Sequence, residues 1–195
     1  MRLFIALDID ESIRERIERF LEGVRGFAPH ARWVRPESLH VTLKFIGDTP
    51  DDEVLKIRQV LSTIEAGAFE ISFRGYGFFP TPKSARVFWI GLNASDQMPQ
   101  LANTIDDAVA SIGISRETHA YSPHLTLARG SGGSGAPHKQ KGDRANRSFQ
   151  RLQEKLAALS PPEFGSTTAR EFFLYQSKLG PGGSRYTKIA GFALK

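Results

Sequence analysis

The chain has 195 residues, of which 40% are hydrophobic and 24% are charged, so it is long enough to bury one sizeable core. It contains no cysteine, which excludes disulfide bonds and thiolate metal ligands. The apolar run from Leu3 to Leu7 is too short for a signal peptide, and no run of about 18 apolar residues follows. These features predict a cytoplasmic protein without a membrane span.

The net charge of +5 is concentrated in one segment. From Arg129 to Arg151 there are six basic residues and one acidic residue, and the rest of the chain is neutral overall. Residues 130–147 begin with a run of glycine and serine, which predicts a loop. A basic loop is either simply solvated or attracts a polyanion, and charge alone does not choose between these two interpretations.

Taken in chain order, the apolar pattern predicts the same series of elements twice. After a first strand at Arg2 to Asp8, each half has a helix, a strand, a second helix and two further strands, with the halves at about residues 1–93 and 97–195. Asp10 is placed to cap the first helix. We predict a single α+β domain with two lobes, each with an antiparallel sheet and helices, related by a pseudo-two-fold axis about a central cleft.

The middle strand of each half carries the same short motif. It is His40-Val41-Thr42 in the first half and His124-Leu125-Thr126 in the second, 84 residues later, and a leucine follows each threonine. Because strand side chains alternate between faces, the imidazole and the hydroxyl of each motif point to the same side. A single His-x-Thr is most often only a hydrogen-bonded histidine, but two matching copies indicate a paired site.

Two histidines facing each other can serve as base and acid near neutral pH, and threonine hydroxyls can donate hydrogen bonds to an oxyanion. A phosphodiester fits such a site. A zinc site fits less well, because His-Glu-x-x-His is absent and His119 is the only serious third ligand. The glycine-rich segment has neither the Gly-Lys-Ser/Thr of a P-loop nor a strand that would make it a nucleophile elbow.

With these motifs, the chain resembles the 2H phosphoesterase superfamily, and within it the RNA 2′,3′-cyclic phosphodiesterases, also called LigT-like or 2′-5′ RNA ligase-like proteins. The resemblance runs nearly from end to end. Besides the motifs it includes Arg2 to Leu7, Trp33 to Pro36, Phe79-Pro80 with Arg86 to Trp89, Ser122-Pro123, and Ser177 to Gly183 with Tyr186.

The resemblance implies metal-independent opening of a 2′,3′-cyclic phosphate to a 2′-phosphate without a cofactor, and in some members weak, reversible 2′-5′ ligation of RNA. It implies that His40 is the proton donor, that His124 is the proton acceptor, and that Thr42, Thr126 and Arg129 bind the phosphate. The symmetry of the two motifs means that the sequence alone does not decide which histidine is the acid.

Strand geometry raises a difficulty for Arg129. In a regular strand Arg129 lies on the opposite face from His124 and Thr126, so it reaches the phosphate only if the strand ends or bulges near Ala128. Phe45 has the same difficulty in the first motif, and it either lines the site or belongs to the core.

The resemblance implies RNA ends or cyclic nucleotides as partners, and no protein partner is evident. A non-catalytic protein that binds RNA ends in the same cleft is the alternative hypothesis, and the basic segment supports it too. Both His-x-Thr pairs are intact, which favours the enzyme, because binding alone would not require two titratable groups. We expect residues 130–147 to help capture longer RNA rather than to take part in the chemistry.

Overall fold

The computed structural model describes residues 1–130, 147–180 and 183–195, so most of the predicted basic loop lies outside the described residues. Four helices are described: α1 (Glu11–Val24), α2 (Val54–Leu61), α3 (Gln97–Ala110) and α4 (Gln150–Ala157). Nine strands are described: β1 (Arg2–Leu7), β2 (Arg32–Trp33), β3 (Val41–Asp48), β4 (Phe69–Phe79), β5 (Val87–Ala94), β6 (His124–Arg129), β7 (Glu163–Ala169), β8 (Glu171–Gly180) and β9 (Gly183–Ala193).

The strands form two sheets in which every described pairing is antiparallel. The four-stranded sheet has the order β3-β1-β8-β9, and the five-stranded sheet has the order β2-β6-β5-β4-β7. The predicted α+β class with two antiparallel sheets is confirmed. In each sheet the motif strand pairs with a strand from which one α-helix separates it in the sequence. Strand β3 pairs with β1, and β6 pairs with β5.

Each sheet takes strands from both halves of the sequence. The four-stranded sheet joins β1 and β3 from the first half to β8 and β9 from the second half. The five-stranded sheet joins β2, β4 and β5 to β6 and β7. The lobes of the molecule therefore do not coincide with the sequence halves.

Two helices also pack against the sheet opposite to the one that contains the strand before them. Helix α1 packs against β7 of the five-stranded sheet, whereas α3 packs against β3 of the four-stranded sheet. The apolar stripe of α1 is buried as its 3.6-residue period predicts, at Ile13, Ile17, Leu21 and Val24. These crossings join both lobes into one continuous hydrophobic core.

Two local features differ from the sequence prediction. Asp10 occupies the N-cap position of α1, but its side chain makes no capping hydrogen bond. Its carboxylate instead accepts a hydrogen bond from the Thr167 hydroxyl on β7, which competes with the helix amides for the same oxygens. Leu159, predicted to extend the apolar stripe of α4, lies beyond the end of that helix and is 43% exposed.

Within the described ranges, no helix is long and apolar enough to cross a membrane.

Candidate active site

The two motif strands face each other across the cleft. Strand β3 is an edge of the four-stranded sheet, and β6 is the second strand of the five-stranded sheet. His40 comes directly before β3 and His124 is the first residue of β6, so both imidazoles lie where a strand begins. In each motif the histidine and the threonine are half-buried and the residue between them is buried, as the period of two predicts.

Both motif strands contain a β-bulge at the same place. The residues that flank Leu43 pair with consecutive residues of β1, and the residues that flank Leu127 pair with consecutive residues of β5. Leu43 and Leu127 therefore have no partner in those ladders. Because an extra residue reverses the alternation of side chains, the strand beyond each bulge shows the opposite face to the cleft.

The bulges explain how Arg129 and Phe45 come to lie on the same face as the motif histidines and threonines. Leu127 and Ala128 are both buried, and Arg129, next in the chain, is exposed. The positive charge of Arg129 lowers the pKa of both His40 and His124. The bulge thus moves Arg129 from the core face to the cleft face.

Phe45 lies at the equivalent position of the first motif. It is 59% exposed, and its ring centroid is 6.3 Å from that of Phe4, which is 4.8 Å from the His40 ring. Phe45 therefore lines the cleft beside His40 and is not part of the core. An exposed aromatic ring there offers a stacking surface to a planar group.

Both imidazoles are held in the same way. Nδ1 of His40 lies 2.7 Å from the Ser38 carbonyl oxygen, and Nδ1 of His124 lies 2.7 Å from the Ser122 carbonyl oxygen. A carbonyl oxygen only accepts, so each Nδ1 carries the hydrogen, and in the neutral ring Nε2 keeps its lone pair. Both Nε2 atoms are therefore free to exchange a proton with a ligand.

Aromatic side chains surround His40 and lower its pKa. Its ring centroid lies 4.8 Å from that of Phe4, 5.0 Å from Tyr186 and 6.2 Å from Tyr175. Burial among these rings is the main cause that lowers the pKa of His40 to about 4, and the charge of Arg129 adds to it. The Ser38 carbonyl and Asp8 oppose the shift, but burial prevails.

His124 has a similar but smaller aromatic surround. Its ring centroid lies 4.9 Å from Phe79 and 6.4 Å from Trp89. Burial, followed by the charge of Arg129, lowers the pKa of His124, although the Ser122 carbonyl opposes the shift. Burial and the charge of Arg129 thus favour the neutral form of both imidazoles.

The sequence analysis did not identify Gly77, against which the Trp89 ring packs. A Cβ atom built at Gly77, its cross-strand partner, would lie 2.1 Å from the indole ring, so only glycine lets this ring lie against β4. The signal in the sequence is the alternation of glycine and aromatic residues from Gly75 to Phe79. Gly77 thereby supports the Trp89 ring, which lies beside His124.

The threonine hydroxyls are available to a ligand. Thr42 and Thr126 are half-buried, and neither hydroxyl makes a hydrogen bond to the described part of the chain. Together with Arg129 they offer two neutral donors and one charged donor between the two imidazoles. Such a set matches the oxygens of a phosphate group.

A metal site has no support in the described residues, among which no group of three or more His, Asp or Glu side chains could hold an ion. His119, the only serious candidate for a third ligand in the less favoured zinc interpretation, is not part of such a group. Of the basic segment, Arg129, Gly130 and the part from Arg147 onward are described, and Lys139, Lys141 and Arg144 lie outside the described residues.

Comparison with known proteins identifies the family. The sequence model of the family described as LigT like Phosphoesterase matches residues 7–89, which include the first motif. The RNA 2′,3′-cyclic phosphodiesterase of Archaeoglobus fulgidus is 33% identical over 192 residues, covering 98% of this chain and 99% of the relative. This chain belongs to the LigT-like phosphoesterases. A second RNA 2′,3′-cyclic phosphodiesterase, from Methanothermobacter thermautotrophicus, is also 33% identical, over 196 residues and 99% of its length.

Solved structures agree with this assignment. A crystal structure of Escherichia coli LigT complexed with 3′-AMP superposes with a TM-score of 0.76 at 26% identity, covering 99% of this chain and 97% of that one. Another phosphoesterase crystal structure superposes with the same TM-score at 27% identity. The resemblance inferred from the paired motifs is confirmed, and this LigT-like phosphoesterase is an enzyme.

Proposed function

We propose that this LigT-like phosphoesterase opens the 2′,3′-cyclic phosphate of an RNA end or nucleoside to a 2′-phosphate, using His40 and His124 and no metal ion. The observation that carries the proposal is the convergence of two imidazoles with free Nε2 atoms on a site that also contains Thr42, Thr126 and Arg129. The names of the relatives from A. fulgidus and M. thermautotrophicus support the same substrate.

The reaction needs two proton transfers on opposite sides of phosphorus. Nε2 of His124 takes a proton from water as the water oxygen bonds to phosphorus, and Nε2 of His40 gives a proton to the 3′ oxygen as the P–O3′ bond breaks. The products are a 2′-phosphate and a 3′ hydroxyl. Thr42, Thr126 and Arg129 stabilise the charge that builds up on the remaining oxygens.

The bound substrate supplies the charge that makes an acid of His40. Burial lowers the pKa of His40 to about 4, so the ring is neutral near pH 7. The phosphodiester carries one negative charge, and an anion beside an imidazole favours its protonated form. We infer that the substrate raises the pKa of His40 on binding and thereby completes the acid/base pair.

The same chemistry extends to 2′-5′ ligation. If the 5′ hydroxyl of a second RNA replaces water, His124 takes its proton, the 5′ oxygen bonds to phosphorus, and the 3′ oxygen leaves with the proton from His40. The product then contains a 2′-5′ phosphodiester. Since this step exchanges one diester for another, it is reversible, and we propose it as a weak secondary activity.

The test is incubation with an oligonucleotide that ends in a 2′,3′-cyclic phosphate, in the presence of a metal chelator. We expect conversion to a 2′-phosphate, and loss of about 10²- to 10⁴-fold in rate for His40→Ala and for His124→Ala. His30→Ala, at an exposed histidine, is the control that should remain active. Tight binding of the oligonucleotide without conversion would instead establish a protein that only binds RNA ends.

A further inference from the structure

Each motif strand is held by the segment that precedes the other motif. Strand β2, just before the first motif, pairs with β6, and the Val34 amide donates to the Leu127 carbonyl at 2.8 Å. In the opposite direction, the Tyr121 hydroxyl, just before the second motif, donates to the Thr42 carbonyl at 2.9 Å. The two crossings join the lobes on either side of the histidine pair.

The Lys44 ammonium makes a second contact from β3 to the chain that leads to the second motif. The bulge at Leu43 turns Lys44 inward, and the residue is only 3% exposed. Its Nζ lies 2.6 Å from an Asp106 carboxylate oxygen and 3.3 Å from one of Glu117, and it donates to the Ser115 carbonyl at 2.8 Å. Three oxygens therefore satisfy the three ammonium hydrogens, which a buried cation requires.

The Asp106 carboxylate extends this contact into the loop after α3. Besides Lys44, it accepts a hydrogen bond from the Glu117 amide at 3.1 Å. Lys44 and Asp106 together fix residues 115–117, and Tyr121 fixes the chain four residues further on. His124 follows Tyr121 by only three residues, so these contacts act close to the second imidazole.

The Tyr121 contact acts equally close to the first imidazole. Its acceptor, the Thr42 carbonyl, lies between His40 and the bulge at Leu43, in the part of β3 that sets the direction of the cleft side chains. Burial raises the pKa of the Tyr121 hydroxyl, so it remains a donor throughout the neutral range.

We propose that Tyr121 and Lys44 are positioning residues that fix the first motif strand against the chain entering the second motif and thereby set the separation of the His40 and His124 imidazoles. The inference rests on the proposed function, because that separation matters only if one reaction uses both rings. The Tyr121 hydroxyl and the Lys44 ammonium are both engaged by oxygens of the chain itself. Their effect comes through geometry, and displacements of about 1 Å can cost about 10²-fold in rate.

Two substrates separate positioning from general stability. Opening of a 2′,3′-cyclic phosphate uses both imidazoles, whereas hydrolysis of a 4-nitrophenyl phosphodiester needs no protonation of its leaving group and so depends on one. A variant that merely unfolds more easily loses the same fraction of activity on both. A variant that separates the imidazoles loses more on the cyclic substrate.

The main variant is Tyr121→Phe, which removes one hydroxyl. We expect its kcat on the cyclic substrate to fall by about tenfold, with KM changed by less than about twofold and kcat on the 4-nitrophenyl substrate nearly unchanged. Tyr76→Phe is the matched control, because it removes the same hydroxyl from a tyrosine on β4 whose ring lies beside those of Phe78 and Phe88. It should behave as wild type on both substrates.

Lys44→Met gives a second measurement, with Asp106→Asn in the same chain so that the largely buried Asp106 carboxylate does not lose its cation, whereas the more exposed Glu117 carboxylate is solvated by water. If Tyr121 and Lys44 fix the same geometry, the two changes are not independent. The activation free energy lost when Tyr121→Phe is combined with the Lys44 change should then be smaller than the sum of the two separate losses. Tyr121→Phe alone decides the question if the Lys44 variant does not fold. Equal losses on both substrates, or an unchanged kcat in Tyr121→Phe, would overturn the inference.

The two proposals fail in different ways. If the wild-type protein opens no cyclic phosphate, both the proposed function and the inference are wrong. A wild-type protein that is active, together with a Tyr121→Phe variant that is equally active, removes the inference alone.

Discussion

Leu43 and Leu127 are the same residue type at the same position, three places after the histidine of each motif, and each lacks a partner in the ladder with β1 or β5. This pair of bulges brings Phe45 and Arg129 onto the cleft face. The two motifs therefore share their backbone geometry beyond the His-x-Thr itself. They differ in the side chain that follows the bulge on the cleft face, which is an aromatic ring in the first motif strand and a cation in the second.

Removing the Arg129 charge should raise the pKa of both imidazoles, since that charge now lowers them. In Arg129→Gln we expect the NMR titrations of His40 and His124 to move to higher pH and kcat/KM to fall by about 10- to 150-fold, the value of a charge-assisted hydrogen bond. Arg32→Gln, at its exposed cross-strand neighbour, is the control. Unmoved titrations in Arg129→Gln would show that the guanidinium does not face the imidazoles.

The pH dependence of kcat and of kcat/KM should differ. The profile of kcat/KM reports the free enzyme, in which burial lowers the pKa of both histidines, and that of kcat reports the complex, in which the substrate anion raises the pKa of the acid. We expect bell-shaped profiles, with the activity loss on the alkaline side at higher pH in kcat than in kcat/KM. Coinciding profiles would contradict substrate-induced protonation.

The buried imidazole of His40 should make the fold sensitive to acid. Its pKa is about 4 in the folded protein, against an ordinary value of 6.5 for an imidazole in water, so the unfolded chain takes up a proton first as the pH falls. Stability is therefore present above pH 6.5 and is lost as the pH falls towards 4. Between pH 7 and pH 5 this one group accounts for at most about 2 kcal/mol.

Urea unfolding at pH 7 and pH 5 checks this expectation. The fall in the free energy of unfolding should be smaller in His40→Gln than in wild type by up to that amount. His30→Gln, at an exposed histidine, should keep the wild-type dependence. An unchanged dependence in His40→Gln would mean that solvent reaches the ring.

Phe45→Ala should weaken substrate binding more than catalysis. Stacking of a base on an aromatic side chain contributes about 1 to 3 kcal/mol, so we expect KM for a cyclic nucleotide to rise by about 5- to 150-fold with little change in kcat. Phe45→Trp should retain the low KM. Leu55→Ala, at a similarly exposed apolar residue of α2, tests whether any loss of exposed apolar surface has the same effect.

The threonines should matter less than the histidines. Thr42→Ala or Thr126→Ala removes a neutral donor to a charged oxygen, which is worth roughly 1.5 to 3 kcal/mol, whereas loss of the acid or base typically costs about 10²- to 10⁴-fold. These ranges overlap, so the expected result is the order of the losses. Folded threonine variants as inactive as the histidine variants would refute this order, and Thr→Ser variants at both positions should recover most of the rate.

Local patterns in the sequence predict the motif strands and their cleft faces, because the period of two is a property of the strand itself. Local patterns could not predict which face of the sheet the Arg129 side chain occupies. It depends on the bulge at Leu127, and that bulge is defined only by pairing with a strand more than thirty residues earlier in the chain. The lowered pKa of His40 was equally out of reach, since the rings that bury it come from both ends of the chain.

Strand β7 was missed for a different reason. Its sequence, Glu163 to Ala169, has glycine and serine in the middle, and Gly165 has a φ of 100°, so the only β-branched residues, Thr167 and Thr168, form too short a run to predict a strand. Pairing with β4 and packing under α1 form it. Asp10 is a similar case, because the Thr167 hydroxyl that takes its carboxylate lies on this same strand.

The interleaving of the sequence halves also bears on how the protein is made. Strand β1 is synthesised long before β8, which is one of its two neighbours in the sheet. The four-stranded sheet therefore stays incomplete until β8 has been synthesised, and such long-range pairing slows folding. A chain terminated before β8 lacks Tyr175 and Tyr186, so a nonsense mutation there removes two of the aromatic rings that bury His40 while both motif histidines remain in the chain.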